Sequence, residues 1–229
     1  MKKNKTSFMI VTMVLFLLFL ISIFKFDIIE RFLIFFIKPK NFFVARESLF
    51  ELAKQHIFIV AVSSSLSVFI AVSIAILVRF PIMNELEEFI LGIAIFGQTI
   101  PTVAILALLV PFLGYGFKPA LVALFVYGIL PVLRNTIEGL NTISEGVRES
   151  ARAVGMNPFQ IMSKVELPLA FPAILAGIRV SLILNISVAT IGATVGLRGF
   201  GTLIINGIRS DDIIMVLKGA IPVSLLALT

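Results

Sequence analysis

Glu145, Arg148, Glu149 and Arg152 crowd together where the stretch 149–168 begins, the longest polar interruption in the apolar second half of the sequence. Val147, Ala151 and Val154 fall at i, i+4 and i+7 among them, the spacing of one apolar helix face. Glu149 stands three residues before Arg152, close enough on a helix for an ion pair. Gly155 suits a left-handed helix stop, having no Cβ to clash there. Asn157 and Pro158 then read as an N-cap followed by proline at the first helical position, with Gln160 placed to complete a capping box. Leu167-Pro168 is expected to close this second helix before the next apolar run. The spacing thus predicts two short helices joined by a sharp glycine turn between membrane segments. Chemistry of that kind is contact chemistry. Residues alone leave two readings open, an ordinary structured loop and a docking element.

Other kinds of chemistry have little to work with. The 229 residues include no cysteine and a single histidine, His56. Disulfides, thiol chemistry and cysteine metal sites are excluded, and a His-based metal site has almost no ligands. A pI near 9.8 could suit nucleic acid, but the Lys and Arg flank apolar runs, which favours membrane topology. With 59% hydrophobic residues, 14% charged residues and mean hydropathy +1.11, the chain is an all-α polytopic membrane protein, its spans held by the lipid bilayer.

The elements that would position the polar run follow from the apolar stretches. Residues 8–24, preceded by Lys2, Lys3 and Lys5, lack a small-x-small cleavage site and read as an uncleaved first span. Residues 25–54 are mixed; an interfacial helix or membrane-hugging loop is expected, with Phe42-Phe43 following Lys38-Pro39-Lys40. Residues 57–78 form a second span whose serines are packing residues. A third, 89–111, is broken at Gln98-Thr99-Ile100-Pro101-Thr102, where proline frees a backbone carbonyl that protein or water must satisfy. Either a plain kink or a pore-facing bend fits. A fourth span, 119–137, carries Arg134 near its inner end, snorkelling to the headgroups.

The fifth span, 171–194, holds Arg179, either snorkelling or paired, and Asn185, which suits inter-helix bonding and could also meet a ligand. The sixth, 213–229, is interrupted by Lys218. About six transmembrane helices with both termini inside result. On this topology eight Lys or Arg lie inside and nine outside, so charge bias alone does not orient the chain.

Glu149-Ser150-Ala151, then Gly155, then Val165-x-Leu167-Pro168 resembles the EAA loop of ABC importer permeases, with Ser150 and Val165 as small departures and every spacing kept. Gln98-Thr-Ile-Pro-Thr-Val-Ala104, Gly114-Tyr-Gly-Phe-Lys-Pro119 and Tyr127-Gly-Ile-Leu-Pro-Val-Leu-Arg-Asn135 are similar to the osmoprotectant branch, the permeases for glycine betaine, carnitine and choline. The resemblance covers residues 52–229 and leaves 1–51 outside as an N-terminal span and membrane-associated segment.

It implies the type I importer permease fold in the inner (plasma) membrane, with a cytoplasmic coupling loop over 139–170. In that loop Glu149, Ala151, Gly155, Leu167 and Pro168 would form the ATPase-coupling element. Glu149 would supply polar contact and Gly155 the turn. Gln98, Thr99, Pro101 and Asn185 are the candidate translocation path. Implied partners are cytoplasmic ATPase subunits, a second permease subunit (identical or homologous) and an external solute-binding protein, with no nucleic acid. The chain has no Gly-x4-Gly-Lys-Ser/Thr loop, so ATP would be bound by the partner subunit and the chain itself would hold no cofactor or metal and not be an enzyme. Only Tyr115 and Tyr127 could contribute to an aromatic cage besides phenylalanine, so selectivity is expected in the binding protein.

Rival readings differ in testable ways. A secondary transporter or channel would favour acids within spans, whereas Glu138, Asp211 and Asp212 stand at edges. An intramembrane enzyme needs a nucleophile–base pair that the spans lack. A permease for amino acids, methionine or an anion would share the loop and differ only in substrate.

Overall fold

In the computed structural model, residues 2–37, 48–80 and 83–229 are described, and the described secondary structure is helical throughout. The first helix, α1 (Lys2–Phe24), meets α2 (Phe26–Ile37) at 82°. A separate helix, α2, thus lies within the stretch expected to be an interfacial helix or a membrane-hugging loop; the expectation for Lys38, Lys40 and Phe42-Phe43 lies outside the described residues. Then come α3 (Leu49–Val78), α4 (Glu87–Thr99), α5 (Thr102–Leu113) and α6 (Phe117–Asn141). The loop helices α7 (Glu145–Ala153) and α8 (Pro158–Ile161) precede α9 (Leu167–Ile191), α10 (Phe200–Ser210) and α11 (Ile213–Leu228).

Three helical stretches are long and apolar enough to cross a bilayer: Leu49–Val78, Phe117–Asn141 and Pro158–Val195. Counting the α1–α2 and α4–α5 pairs as one broken span each raises the number to five. The expected six is not reached among the described residues. α11, taken from sequence as the sixth, is a shorter apolar helix with 16 residues described.

The chain divides into two units. One comprises 1–61, 102–123 and 186–229. Its core is built on Phe19, Phe26, Leu52, Phe200 and Leu203, with Phe19 and Phe200 edge to face at 6.4 Å. His56 is fully buried there with its ring 5.2 Å from Phe200. Lys218, which interrupts an apolar run, is explained by Glu30 of α2: their Nζ–Oε2 distance is 3.1 Å, and both side chains are at least four-fifths covered. Removing only the lysine, as in Lys218→Met, is expected to cost about 1.5–3 kcal/mol. The double change with Glu30→Met should recover most of that loss, because no charge is left unpaired. Thermal unfolding of the purified protein in detergent measures both.

The second unit comprises 62–101 and 124–185. Small residues let its helices approach closely. Beside Gly128, the polar atoms of Ser67, Ser181 and Asn185 come so near that an added Cβ would lie 2.7–2.9 Å from them. Ser181 donates to the Gly128 carbonyl at 2.8 Å, and Ser67 to that of Phe125 at 3.3 Å. The hydroxyls thus satisfy backbone oxygens in a place that water does not reach.

Candidate functional site

The polar loop lies wholly in the second unit and folds much as its local chemistry dictates. Gly155 has φ +82°, the left-handed turn that ends α7. Asn157 Oδ1 accepts from the Gln160 N–H, and Gln160 Oε1 accepts from the Asn157 N–H, both at 2.9 Å. The capping box is complete, with Pro158 in the first turn.

Three local expectations are overturned. Of the apolar face on α7, only Ala151 is buried, while Val147 and Val154 are 37% and 74% exposed. The buried face instead carries Arg148, some 100° around the helix from Val147. Arg152 pairs with Glu145 at 2.9 Å in place of Glu149. Two helical turns bring residues 145 and 152 nearly into line, closer in projection than 149 and 152. Finally, Leu167-Pro168 does not close a helix. One wide π turn, Met162–Glu166, carries α8 straight into α9. Pro168 follows directly on that wide turn inside the continuing helix, where its missing N–H interrupts the regular ladder and the π turn absorbs the irregularity.

What holds the loop is a charge cluster around Glu166. Arg148 Nε donates to Glu166 Oε1 at 2.6 Å, and a second guanidinium nitrogen of Arg148 donates to the Leu140 carbonyl at 2.9 Å. Arg148 therefore ties α7 to the end of α6 and to the start of α9. Arg79, just past α3, places its Nε 3.7 Å from the same Glu166 oxygen. Glu145 receives Arg148 at 3.3 Å and Arg152 at 2.9 Å. Hydrogen bonding from Arg148, reinforced by Arg152, outweighs desolvation and holds the Glu145 carboxyl below its usual value. A lowered acid stabilises above its ordinary titration range and loses that effect only as pH falls through the lowered value, so the clamp stays charged at neutral pH. For Arg148, burial acts to lower the pKa, but the bonds to Glu166 and Glu145 together raise it above its ordinary value.

Glu166 and Arg79 are the residues that sequence reasoning missed. The available signal was a lone acid directly before the Leu-Pro that opens a long apolar run. Its partner Arg148 is 18 residues away, outside any local spacing rule.

Of the expected coupling residues, Glu149, Gly155 and Pro168 are exposed, Leu167 is half-buried and Ala151 is buried. The expected path residues divide differently. Gln98 donates to the Tyr127 carbonyl at 2.6 Å, and the Tyr127 hydroxyl donates to the Ile100 carbonyl. Tyr127 thus supplies the partner that the break before Pro101 requires. Thr99 and Pro101 are exposed, with the Thr99 hydroxyl on the Phe96 carbonyl at 2.8 Å. Asn185 is fully buried, its Nδ2 donating to Ser64 Oγ at 2.9 Å. That is an inter-helix bond.

Residues 67–229, which include the whole loop, match the family described as the binding-protein-dependent transport system inner membrane component. The chain belongs to this family. Its members are permease components of the inner membrane and are not themselves catalytic. The carnitine transport permease protein OpuCB of Listeria monocytogenes is 42% identical over 144 residues, 63% of this chain and 66% of that protein. The osmoprotectant import permease protein OsmW of Salmonella typhimurium is 38% identical over 170 residues, 69% of this chain and 79% of that one. The choline transport system permease protein OpuBB of Bacillus subtilis is 41% identical over 165 residues, 69% and 76% of the two chains. The matched stretch thus spans about two thirds to four fifths of these relatives. In fold, the chain is similar to one from the inward-facing methionine ABC transporter MetNI. The TM-score is 0.67 at 23% identity, over 79% of this chain and 89% of that one.

Proposed function

We propose that this permease component serves an ATP-driven importer of osmoprotectants of the glycine betaine, carnitine and choline class. The observation that carries the substrate class is the agreement among four of its relatives, whose names fall within that class at 38–42% identity. Residues 52–229 would form the permease proper, preceded by the N-terminal helices.

The loop's outer surface supports the coupling role. Val147, Val154 and Phe159 are 37%, 74% and 74% exposed, beside the exposed Glu149. A mixed apolar and acidic face presented by rigid helices fits a groove on a cytoplasmic ATPase subunit, which would bind and hydrolyse the ATP. A second permease subunit and an external binding protein complete the importer. The chain offers only Tyr115 and Tyr127 besides phenylalanine for an aromatic cage, which supports selectivity in the binding protein.

Uptake of radiolabelled glycine betaine at high osmolarity tests the reading. The strains are one lacking this chain and all other betaine importers, the same strain complemented, and one complemented with Gly155→Arg. The Cβ of residue 155 points into open space, so this change strains the turn and alters the docking face without disturbing the core. Restored uptake with the native chain, lost with the variant at equal membrane levels, is expected. Equal uptake in all three strains would remove the osmoprotectant reading.

A further inference from the structure

Glu166 is asked to serve two arginines and fully serves one. It is 6% exposed and bonded at 2.6 Å to Arg148, which is itself 8% exposed. Arg79 Nε is buried and has no hydrogen-bond partner among the described residues, although it points at the same carboxylate from 3.7 Å. A buried guanidinium N–H left short of an acceptor is unfavourable. Here the missing half-ångström to one ångström is the distance by which the carboxylate is held on the Arg148 side.

Room exists for the opposite arrangement. A cavity of about 540 Å³ lies against this cluster, lined among others by Arg79, Glu145, Arg148, Arg152 and Glu166. The two arginines also belong to different elements. Arg148 is on the loop helix α7, whereas Arg79 follows α3. A carboxylate within reach of two guanidinium groups, one engaged at 2.6 Å and one 3.7 Å away, has a second partner available if the first is withdrawn. That is the requirement for an element that can be switched by a modest force.

We propose that Glu166 is passed from Arg148 to Arg79 as the loop moves during transport, so that Arg79 and Glu166 are positioning residues linking loop motion to α9 and to the end of α3. The proposal rests on the coupling role of the loop given above. In the arrangement seen here Glu166 holds α7 down on α6 and α9. When α7 is drawn away, Arg148 follows it and Arg79 takes over the carboxylate, so no buried charge is stranded at any stage.

A static role and a hand-over differ in what they expect of Arg79. In the static case Arg79 Nε has no hydrogen-bond partner among the described residues and the loss of its side chain matters little. In the hand-over its loss strands Glu166 in the second arrangement. The test uses the complete importer, with ATPase and binding protein, in proteoliposomes. Because the chain has no native cysteine, spin labels can be placed through Leu77→Cys on α3 and Gly146→Cys on α7, both exposed, the second with open space around its Cβ, and their separation followed with and without a non-hydrolysable ATP analogue. Betaine uptake is measured on the same samples.

The native chain is expected to show a nucleotide-dependent change in separation. Arg79→Gln should abolish the change and lower uptake by about tenfold. Arg79→Lys, which keeps a charge within reach, should stay within about threefold of native uptake. An Arg79→Gln chain that responds like the native one, or that fails to accumulate, overturns the hand-over; the second result would give Arg79 a folding role. No nucleotide response in the native chain overturns the coupling reading and the hand-over together. A normal response without betaine uptake leaves the hand-over standing and overturns the substrate class alone.

Discussion

Gly201→Ala is expected to leave almost no folded chain in the membrane. Gly201 lies in the first turn of α10, pressed against the end of α9. A Cβ at that position would overlap the Thr190 carbonyl oxygen and stand 2.7 Å from its carbon and 2.9 Å from its Cα. These are backbone atoms and no rotamer change moves them away. Relief requires α9 and α10 to separate by about an ångström, which would open the contact between Phe200, Phe19 and Leu203 in the unit's core. Overpacking of this kind exceeds the usual cost of about 1–3 kcal/mol, against a total stability of roughly 5–15 kcal/mol. Quantifying the protein in isolated membranes, followed by thermal unfolding of whatever accumulates, checks this. Gly155→Ala is the contrast. Its Cβ meets nothing within 4 Å, so only the left-handed backbone is strained, at about 1–2 kcal/mol, and the chain should accumulate normally.

The second large effect is expected for Glu166→Ala. Arg148 would keep the Leu140 carbonyl and the exposed Glu145 but lose its one buried counter-charge. Stranding one member of a buried pair costs about 3–5 kcal/mol. Unfolding in detergent should begin at a much lower temperature, with the loop as the first part to become protease-sensitive. The double change Glu166→Leu with Arg148→Met removes both charges and should regain most of the stability. Uptake should not return with it, because an apolar contact has no second partner to move to. Recovery of both stability and uptake would show that the charges serve packing alone.

How far the sequence disclosed the site depends on the range of the forces involved. The turn at Gly155 and the Asn157–Gln160 capping box were legible because everything that decides them lies within four residues. The buried face of α7 was not. Apolar periodicity selects Val147 and Val154, but this helix packs on a carboxylate and a carbonyl and turns its valines outward. Hydrophobic patterning reports the core only where the core is what the helix touches. Arg152 went to Glu145 because two turns align better than one, a choice that residue spacing alone leaves undecided. The position of Pro168 was read as a stop, although a helix can pass a proline where it widens to a π turn beside it.

The wide turn at Met162–Glu166 has a consequence for how the loop and the helix beyond it are kept in phase. A π turn takes in one residue more than an α turn, so it rotates everything on one side by about 100° relative to an unbroken helix. Glu166 owes its inward direction to that offset. Deleting a single residue within Met162–Glu166 would let an ordinary helix run through and swing the capping box of α8 to another side of the rod. Every local contact of α8 and α9 could survive such a deletion, yet the docking face would address the wrong direction. The stretch therefore works as a phase adjuster, and its length is constrained more tightly than its composition.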